Sequence, residues 1–177
     1  MSPPPPGREA QHILHSGRQV TTHPALPEND VALRAMYARC SAESLYARYR
    51  TASPTPSAVP GPVHRSGCTA VTLVAHPAED PGQLIAAAEL VGLTAGREWE
   101  AALLVEDAWQ GCGLGTVLAA VVLDAARARG ATTVTASVAL SNGPALRLVN
   151  HLGGRPRPPY TIEAVFDIPV DPTRAST

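Results

Sequence analysis

A glycine-rich stretch between an apolar run and an amphipathic segment constrains this chain more than any other feature. Residues 109–115 read Trp-Gln-Gly-Cys-Gly-Leu-Gly, and they follow a strand-like run that ends at Val105. A strand that leads through closely spaced glycines into a helix exposes backbone N–H groups at the helix N-terminus, where the helix dipole favours a phosphate. The stretch predicts a site for a phosphorylated ligand, although glycines at this spacing also occur where they only tighten a turn.

The spacing excludes two common phosphate-binding loops. A Walker loop places Lys and then Ser or Thr after its last glycine, whereas Gly115 is followed by Thr116 and Val117. A dinucleotide-binding loop needs a glycine at position 116 and an acidic residue about twenty residues later, and the strand predicted after the helix contains no acidic residue. What remains is Gln-x-x-Gly-x-Gly, beginning at Gln110.

Composition limits the class of protein. The chain has 177 residues, enough for one domain, and 14 Lys and Arg balance 15 Asp and Glu, so no electrostatic footprint for nucleic acid or an anionic membrane is visible. We find no apolar run of membrane-spanning length and no secretory signal, and we expect a cytoplasmic protein. Three scattered cysteines and six histidines without ligand spacing predict neither a disulfide framework nor a bound metal.

The pattern of apolar residues predicts an α/β domain. Residues 1–17 form a disordered or loosely packed leader, residues 18–170 a single domain and residues 171–177 a flexible tail, while the four prolines in residues 51–62 indicate a mobile loop. The predicted order is β-α-α-β-β-β-α-β-α-β, with a mixed, mostly antiparallel sheet flanked by helices. Strands are predicted over residues 18–22, 69–75, 83–91, 99–105, 132–138 and 162–168, and helices over about 28–40, 41–49, 113–129 and 142–151.

This order, with Gln-x-x-Gly-x-Gly between the fourth strand and the third helix, resembles the GNAT superfamily of acyl-CoA-dependent N-acyltransferases. A second match begins at Asn142, where Asn-x-x-Ala-x-x-Leu is followed by the pair Gly153-Gly154. The segment Ser-x-Glu-Ser-x-Tyr-x-Arg, residues 41–48, is similar to a helix of the bacterial branch that acetylates protein lysines.

The resemblance implies acetyl-CoA as the acyl donor, with no metal. Backbone N–H groups of residues 111–115 would bind the pyrophosphate, an N–H near Leu104 or Val105 would serve the thioester oxyanion, and Asn142 would bind the pantetheine arm unless it only caps its helix. Cys112 is interpreted as a small residue beside the ligand rather than a nucleophile. The residues expected to contact acetyl-CoA are Leu103, Leu104, Val105, Gln110, Gly111, Cys112, Gly113, Leu114, Gly115, Thr116, Asn142 and Ala145.

The resemblance also identifies Glu100 as the general base, ten positions before Gln110. Glu98 and Glu100 share one face of a strand because side chains alternate. We expect Trp99 and the apolar run to desolvate Glu100 in part, and desolvation raises the pKa of a carboxyl toward the range useful for a base. The alternative is that both glutamates are ordinary solvent-facing residues.

One position departs from the family pattern. Many members carry Tyr after the Leu of the second motif, as the acid for the leaving thiolate, but this chain has Val149 there. A thiol pKa of about 8.5 makes thiolate a tolerable leaving group near neutral pH, so loss of the acid need not abolish turnover, and water, Ser141 and Tyr160 are the candidate substitutes. The predicted function is acetyl transfer to a primary amine, on a protein lysine or a small metabolite, by a monomer or homodimer. The competing hypotheses are an acyl-CoA-binding sensor without catalysis and a loop that holds another phosphate ligand.

Overall fold

The computed structural model describes residues 9–49, 70–93, 98–159 and 161–171. The proline-rich residues 51–62, Tyr160 and the two chain ends, which several of the predictions concern, lie outside these ranges. The described elements, in chain order, are β1 (Ala10–Ile13), β2 (Gln19–Pro24), α1 (Asp30–Arg39), α2 (Ala42–Tyr49), β3 (Ala70–Pro77), β4 (Ala86–Gly92), β5 (Glu98–Val105), α3 (Leu114–Arg127), β6 (Thr133–Ala139), α4 (Gly143–His151), β7 (Arg155–Arg157) and β8 (Glu163–Pro169).

The strands form one sheet in the order β1-β2-β3-β4-β5-β6-β8-β7. Every neighbouring pair is antiparallel except β5 and β6, which are parallel because the helix α3 carries the chain between them. The predicted α/β class, with a mixed and mostly antiparallel sheet flanked by helices, is therefore confirmed. Two short edge strands, β1 and β7, add to the predicted order.

The prediction of a loosely packed leader is wrong for residues 10–13. These residues form β1, which pairs with β2 from Ala10 opposite Thr22 to Ile13 opposite Gln19. Leu14, directly after the strand, is only 3% exposed and joins the core, whereas Ile13 is 74% exposed. The sequence lacks a clear apolar alternation here because an edge strand is stabilised by pairing with its neighbour more than by a buried face of its own.

Helices cover the two faces of the sheet. The apolar stripe of α3 packs with Trp99 on β5 and Leu90 on β4, while α4 packs against β6 and β8. On the opposite face, Leu33 and Met36 of α1 pack against Leu104. Within β5, odd-numbered side chains therefore face α3 and even-numbered side chains face α1 and α2.

Local signals define where the site-bearing helices begin. The Ser41 hydroxyl accepts a hydrogen bond from the Ser44 N–H (3.2 Å), which confirms the predicted N-cap of α2. The helix α3 begins at Leu114 directly after the glycine stretch and ends at Arg127, close to the predicted end. No described helix is long and apolar enough to cross a membrane.

Candidate functional site

The parallel strands β5 and β6 separate in the middle of the sheet. They pair only from Glu98 opposite Thr133 to Glu100 opposite Thr135, after which both strands continue without pairing to each other. A strand that has lost its neighbour keeps backbone groups directed toward the gap, and these groups need other partners. The separation therefore creates a cleft lined by backbone donors and acceptors in the second half of β5.

Hydrogen-bond alternation determines which groups face the cleft. The Glu106 N–H donates to the Ile85 carbonyl (2.9 Å) and the Leu93 N–H to the Glu98 carbonyl (2.8 Å), so even-numbered residues of β5 bond to β4. Leu103 and Val105 consequently direct their N–H groups into the cleft. Of the two positions expected to supply the oxyanion donor, Val105 faces the cleft, whereas the Leu104 N–H is directed toward β4.

The glycine stretch wraps around the N-terminus of α3 beside this cleft. Gly111 and Gly113 have φ values of +70° and +97°, in the left-handed region that only glycine adopts readily. Thr116 and Val117 donate the first hydrogen bonds of the helix to the Gly113 carbonyl (3.1 and 3.2 Å). N–H groups before Thr116 have no intrahelical acceptor, so they are suited to an anion.

Side chains in the stretch turn toward the protein. Leu114 is fully buried, and Cys112 is 8% exposed and donates through Sγ to the Trp109 carbonyl (2.8 Å). This placement favours the interpretation of Cys112 as a packing residue over that of a nucleophile. A Cβ at Gly115 would lie 3.8 Å from Leu148 of α4, an ordinary van der Waals contact. The loop therefore offers its backbone, rather than its side chains, to a ligand.

Glu100 lies at the point where the cleft opens. It points to the α1 and α2 side of the sheet, next to Thr135 of β6, and it is exposed. The expected partial desolvation is absent, because Trp99 is 3% exposed and packs on the opposite face. Side chains alternate along a strand, so a neighbour in sequence cannot shield Glu100. The carboxylate is therefore accessible to solvent.

A second carboxylate on the same face was not predicted. Glu89 on β4 pairs with Ala102, which makes it the diagonal neighbour of Glu100 across the two strands. It forms an ion pair with Arg48 of α2 (2.7 Å), and both side chains are largely buried. The arginine of the Ser-x-Glu-Ser-x-Tyr-x-Arg segment thus anchors the end of α2 to the sheet. In the sequence, the place of Arg48 in that segment was the one feature that pointed to this contact.

Two tyrosines continue this buried cluster between α1 and α2. The Tyr49 hydroxyl donates to the Tyr37 hydroxyl (2.7 Å), and Arg48 lies over the Tyr49 ring. Burial raises the pKa of both phenols, so they remain neutral hydrogen-bonding groups at neutral pH. Both tyrosines pack in the core cluster that α1 and α2 form with the sheet.

The turn after β5 receives the N-terminal part of α2. The Asp107 carboxylate accepts hydrogen bonds from the Ser41 N–H (2.8 Å), the Ser41 hydroxyl (2.6 Å) and the Ser44 hydroxyl (3.0 Å). Partial burial alone would raise the pKa of Asp107, but these hydrogen bonds outweigh it and hold the pKa below its usual value. Sequence reasoning missed Asp107, although it lies three residues before Gln110.

Gln110 does not present its amide to the glycine loop. Its Nε2 atom donates to the Ser44 hydroxyl (2.9 Å) and to the Val105 carbonyl (3.0 Å). The side chain therefore connects the end of β5 to α2, and only its backbone remains beside the loop. The sequence motif identifies Gln110, but it does not identify Ser44 as the hydrogen-bond partner of Gln110, because the two residues are 66 positions apart.

Asn142 caps α4, the alternative that its sequence context left open. Its Oδ1 atom accepts a hydrogen bond from the Ala145 N–H (3.1 Å), so neither of these two groups is available to a ligand in this arrangement. Val149, at the position of the family's tyrosine, is 5% exposed and packs with Phe166. This position faces the core under α4. Among the described residues, no group of three or more His, Cys, Asp or Glu side chains could hold a metal ion.

A sequence model of the acetyltransferase (GNAT) family matches residues 29–153, which include the cleft, the glycine loop and Asn142. The chain belongs to the GNAT family. This membership establishes the acyltransferase fold and the acyltransferase class, and it agrees with the resemblance seen in residues 109–115 and 142–154. No curated protein shows significant sequence similarity to the chain.

Solved GNAT structures share this fold. The GNAT domain of S. lividans PAT has a TM-score of 0.80 at 22% identity, with 91% of this chain and 96% of that domain covered. The structure of yncA from Salmonella typhimurium, solved with acetyl-CoA, has a TM-score of 0.61 at 19% identity, and the match covers 89% of this chain and 98% of yncA. A cAMP-binding acyltransferase from Mycobacterium smegmatis gives 0.63 at 22% identity; the match covers 95% of this chain but 49% of that protein.

Proposed function

We propose that this GNAT protein transfers an acetyl group from acetyl-CoA to a primary amine, on a protein lysine or a small metabolite. The observation that carries the proposal is the cleft between β5 and β6, which places an exposed carboxylate at one end and the glycine loop at the other. The cleft thus combines a base, donors for a carbonyl oxygen and a cradle for a pyrophosphate. The solved relative with acetyl-CoA supports the choice of donor.

Each part of the reaction has a candidate group. The N–H groups of residues 111–115 bind the pyrophosphate of the donor, and the N–H groups of Leu103 and Val105 bind carbonyl oxygens along the pantetheine arm and the thioester. The amine nitrogen attacks the acetyl carbonyl, and Glu100 accepts its proton directly or through one water. The C–S bond then breaks, giving the acetylated amine and CoA.

The reaction does not depend on a tyrosine at position 149. A thiol has a pKa of about 8.5, so a thiolate leaves readily near neutral pH and is protonated by solvent afterwards. Val149 is buried beneath α4 and contributes packing instead. The demanding proton transfer is the one away from the amine, which falls to Glu100.

Glu100→Gln tests the assignment, with Glu98→Gln as the matched control on the same face and strand. The measurement is CoA release from acetyl-CoA over a panel of amines and lysine-containing proteins. Glu100→Gln is expected to lower kcat by about 100-fold or more while leaving the KM for acetyl-CoA similar, because a general base contributes about 10²–10⁴-fold. Equal rates for both variants would contradict the role of Glu100.

A sensor that binds acyl-CoA without turnover is the second candidate. The observation that favours it is the buried Val149, which leaves the position of the family's tyrosine without an acid. Calorimetry with CoA and acetyl-CoA, combined with the turnover assay, separates the three cases. Binding with turnover supports the transferase, and binding without turnover on any acceptor supports the sensor. Absence of binding contradicts both the transferase and the sensor, and it favours the hypothesis that the loop binds a different phosphate ligand.

A further inference from the structure

A chain of hydrogen bonds runs from the turn after β5 to the backbone of the cleft. The Asp107 carboxylate accepts from the Ser44 hydroxyl (3.0 Å), and the same hydroxyl oxygen lies 2.9 Å from Gln110 Nε2. Nε2 also lies 3.0 Å from the Val105 carbonyl. The chain links a charged side chain to the residue whose N–H faces the cleft.

The charge on Asp107 sets the direction of this chain. An ionised carboxylate only accepts hydrogen bonds, so the Ser44 hydroxyl must give its proton to Asp107. The Ser44 oxygen is then left as an acceptor, and Gln110 turns its NH₂ group rather than its carbonyl toward it. The second N–H of that group is directed to the Val105 carbonyl. Reversing any one link would place two donors or two acceptors against each other.

We propose that Asp107 is a positioning residue of the acyl-donor cleft, which acts through Ser44 and Gln110 to hold the end of β5. With the Val105 carbonyl bound by Gln110 and the following Glu106 N–H bound by the Ile85 carbonyl, the end of β5 is held in place from both sides. The Val105 N–H, which belongs to the preceding peptide, therefore stays directed into the part of the cleft where β6 no longer supports the strand. The proposal rests on the proposed function, because it assigns that N–H to the acetyl-CoA carbonyl groups.

A purely structural role would be that Asp107 only anchors α2. The chain offers a matched control, since Arg48 anchors the other end of the same helix to Glu89 (2.7 Å) and touches neither the glycine loop nor Val105 in any described contact. In addition, Arg39 holds the end of α1 to Glu106 (2.8 Å). If Asp107 only anchored α2, loosening either end of the helix would weaken acetyl-CoA binding to the same extent.

The experiment measures the Kd of acetyl-CoA by calorimetry for the wild type, Asp107→Asn, Gln110→Ala and their double variant. Asn replaces one acceptor oxygen with a donor, so it cannot receive all three hydrogen bonds. We expect each single variant to weaken binding by about tenfold, the value of one well-placed hydrogen bond, and the double variant to be no weaker than either. Additive losses or an unchanged Kd would overturn the proposal.

Two further variants separate positioning from anchoring. Arg48→Met is expected to lower the melting temperature but to leave the Kd of acetyl-CoA within about twofold, because sites that share no partners act almost independently. Ser44→Ala should reproduce the loss seen for Asp107→Asn, and Ser44→Thr should restore binding. If Arg48→Met weakens acetyl-CoA as much as Asp107→Asn does, Asp107 is only an anchor.

The two proposals fail in different ways. If the wild type does not bind acetyl-CoA, the proposed function is wrong and Asp107 has no donor to position. If the wild type binds but the Asp107, Ser44 and Gln110 variants bind equally well, the positioning role alone is wrong. Thermal melting of every variant identifies any that does not fold, and Ser44→Ala with Ser44→Thr decides the question if Asp107→Asn is such a variant.

Discussion

Replacing Gly113 with alanine is expected to destabilise the protein by about 1.5–3.5 kcal/mol. A φ of +97° places an L-residue in the left-handed region, which costs about 1–2 kcal/mol. The new Cβ would also lie 2.6 Å from Nδ1 of His15, in the turn after β1. His15 is exposed and can rotate away, so this contact adds only about 0.5–1.5 kcal/mol, the range for an unfavourable rotamer.

Alanine substitutions at the other two loop glycines separate the backbone cost of Gly113→Ala from its contact cost. At Gly111, with φ of +70°, a Cβ meets nothing within 4 Å, so alanine there carries only the backbone cost of about 1–2 kcal/mol. At Gly115 the backbone is helical and a Cβ makes an ordinary contact with Leu148, so alanine is tolerated and gains up to about 1 kcal/mol of helix propensity.

The melting temperatures of the three variants are measured by thermal denaturation, with circular dichroism as the signal. At about 2–4 °C per kcal/mol for a chain of this size, Gly113→Ala should lower the melting temperature by about 3–14 °C and Gly111→Ala by about 2–8 °C, while Gly115→Ala should match the wild type or exceed it. Adding His15→Ala to Gly113→Ala should recover only the contact cost. The reasoning is refuted if Gly115→Ala is the most harmful change, or if His15→Ala restores the whole loss.

Three further outcomes are expected. The stability difference between wild type and Asp107→Asn, measured by urea unfolding, should be full above about pH 4 and vanish as pH falls through the lowered pKa of Asp107. Arg48→Ala should lower the free energy of unfolding by about 3 kcal/mol, because the Glu89 carboxylate is largely buried, and adding Glu89→Gln to this variant should recover part of the loss. Burial and nearby carboxylates raise the pKa of Cys40 to about 11, so maleimide labelling at pH 8, followed by mass spectrometry, should be slow until urea unfolds the chain.

The elements near the site were predictable because their signals are local. The stripe of α3 and the Ser41 N-cap of α2 depend on residues within a few positions of one another, and both are confirmed. Residues 10–13 carried no such signal, since β1 gains its order from pairing with β2. The short strand β7 was missed in the same way.

The site was predictable only in its backbone. The positions of Gly111 and Gly113 predicted a glycine turn that leads into α3, and their left-handed φ values agree with such a turn. The binding of a pyrophosphate by its N–H groups stays a prediction. Of the two interpretations of Glu100, the solvent-facing one agrees with the structure and partial desolvation does not, because Trp99 precedes Glu100 in sequence but lies on the other face of β5. Neighbours along a strand are separated by the sheet itself.

By itself the sequence determined the family, the order of the main helices and strands and the loop that enters α3, because periodicity, caps and glycines act over a few residues. The tertiary structure alone decided where β5 parts from β6 and which N–H groups enter the cleft, since both depend on the pairing of β5 with strands distant in sequence. It also decided the partners of Asp107 and Gln110. A hydrogen bond needs a defined direction and a length of about 3 Å. The sequence alone does not show that two residues 66 positions apart meet these requirements, because the tertiary fold brings them together.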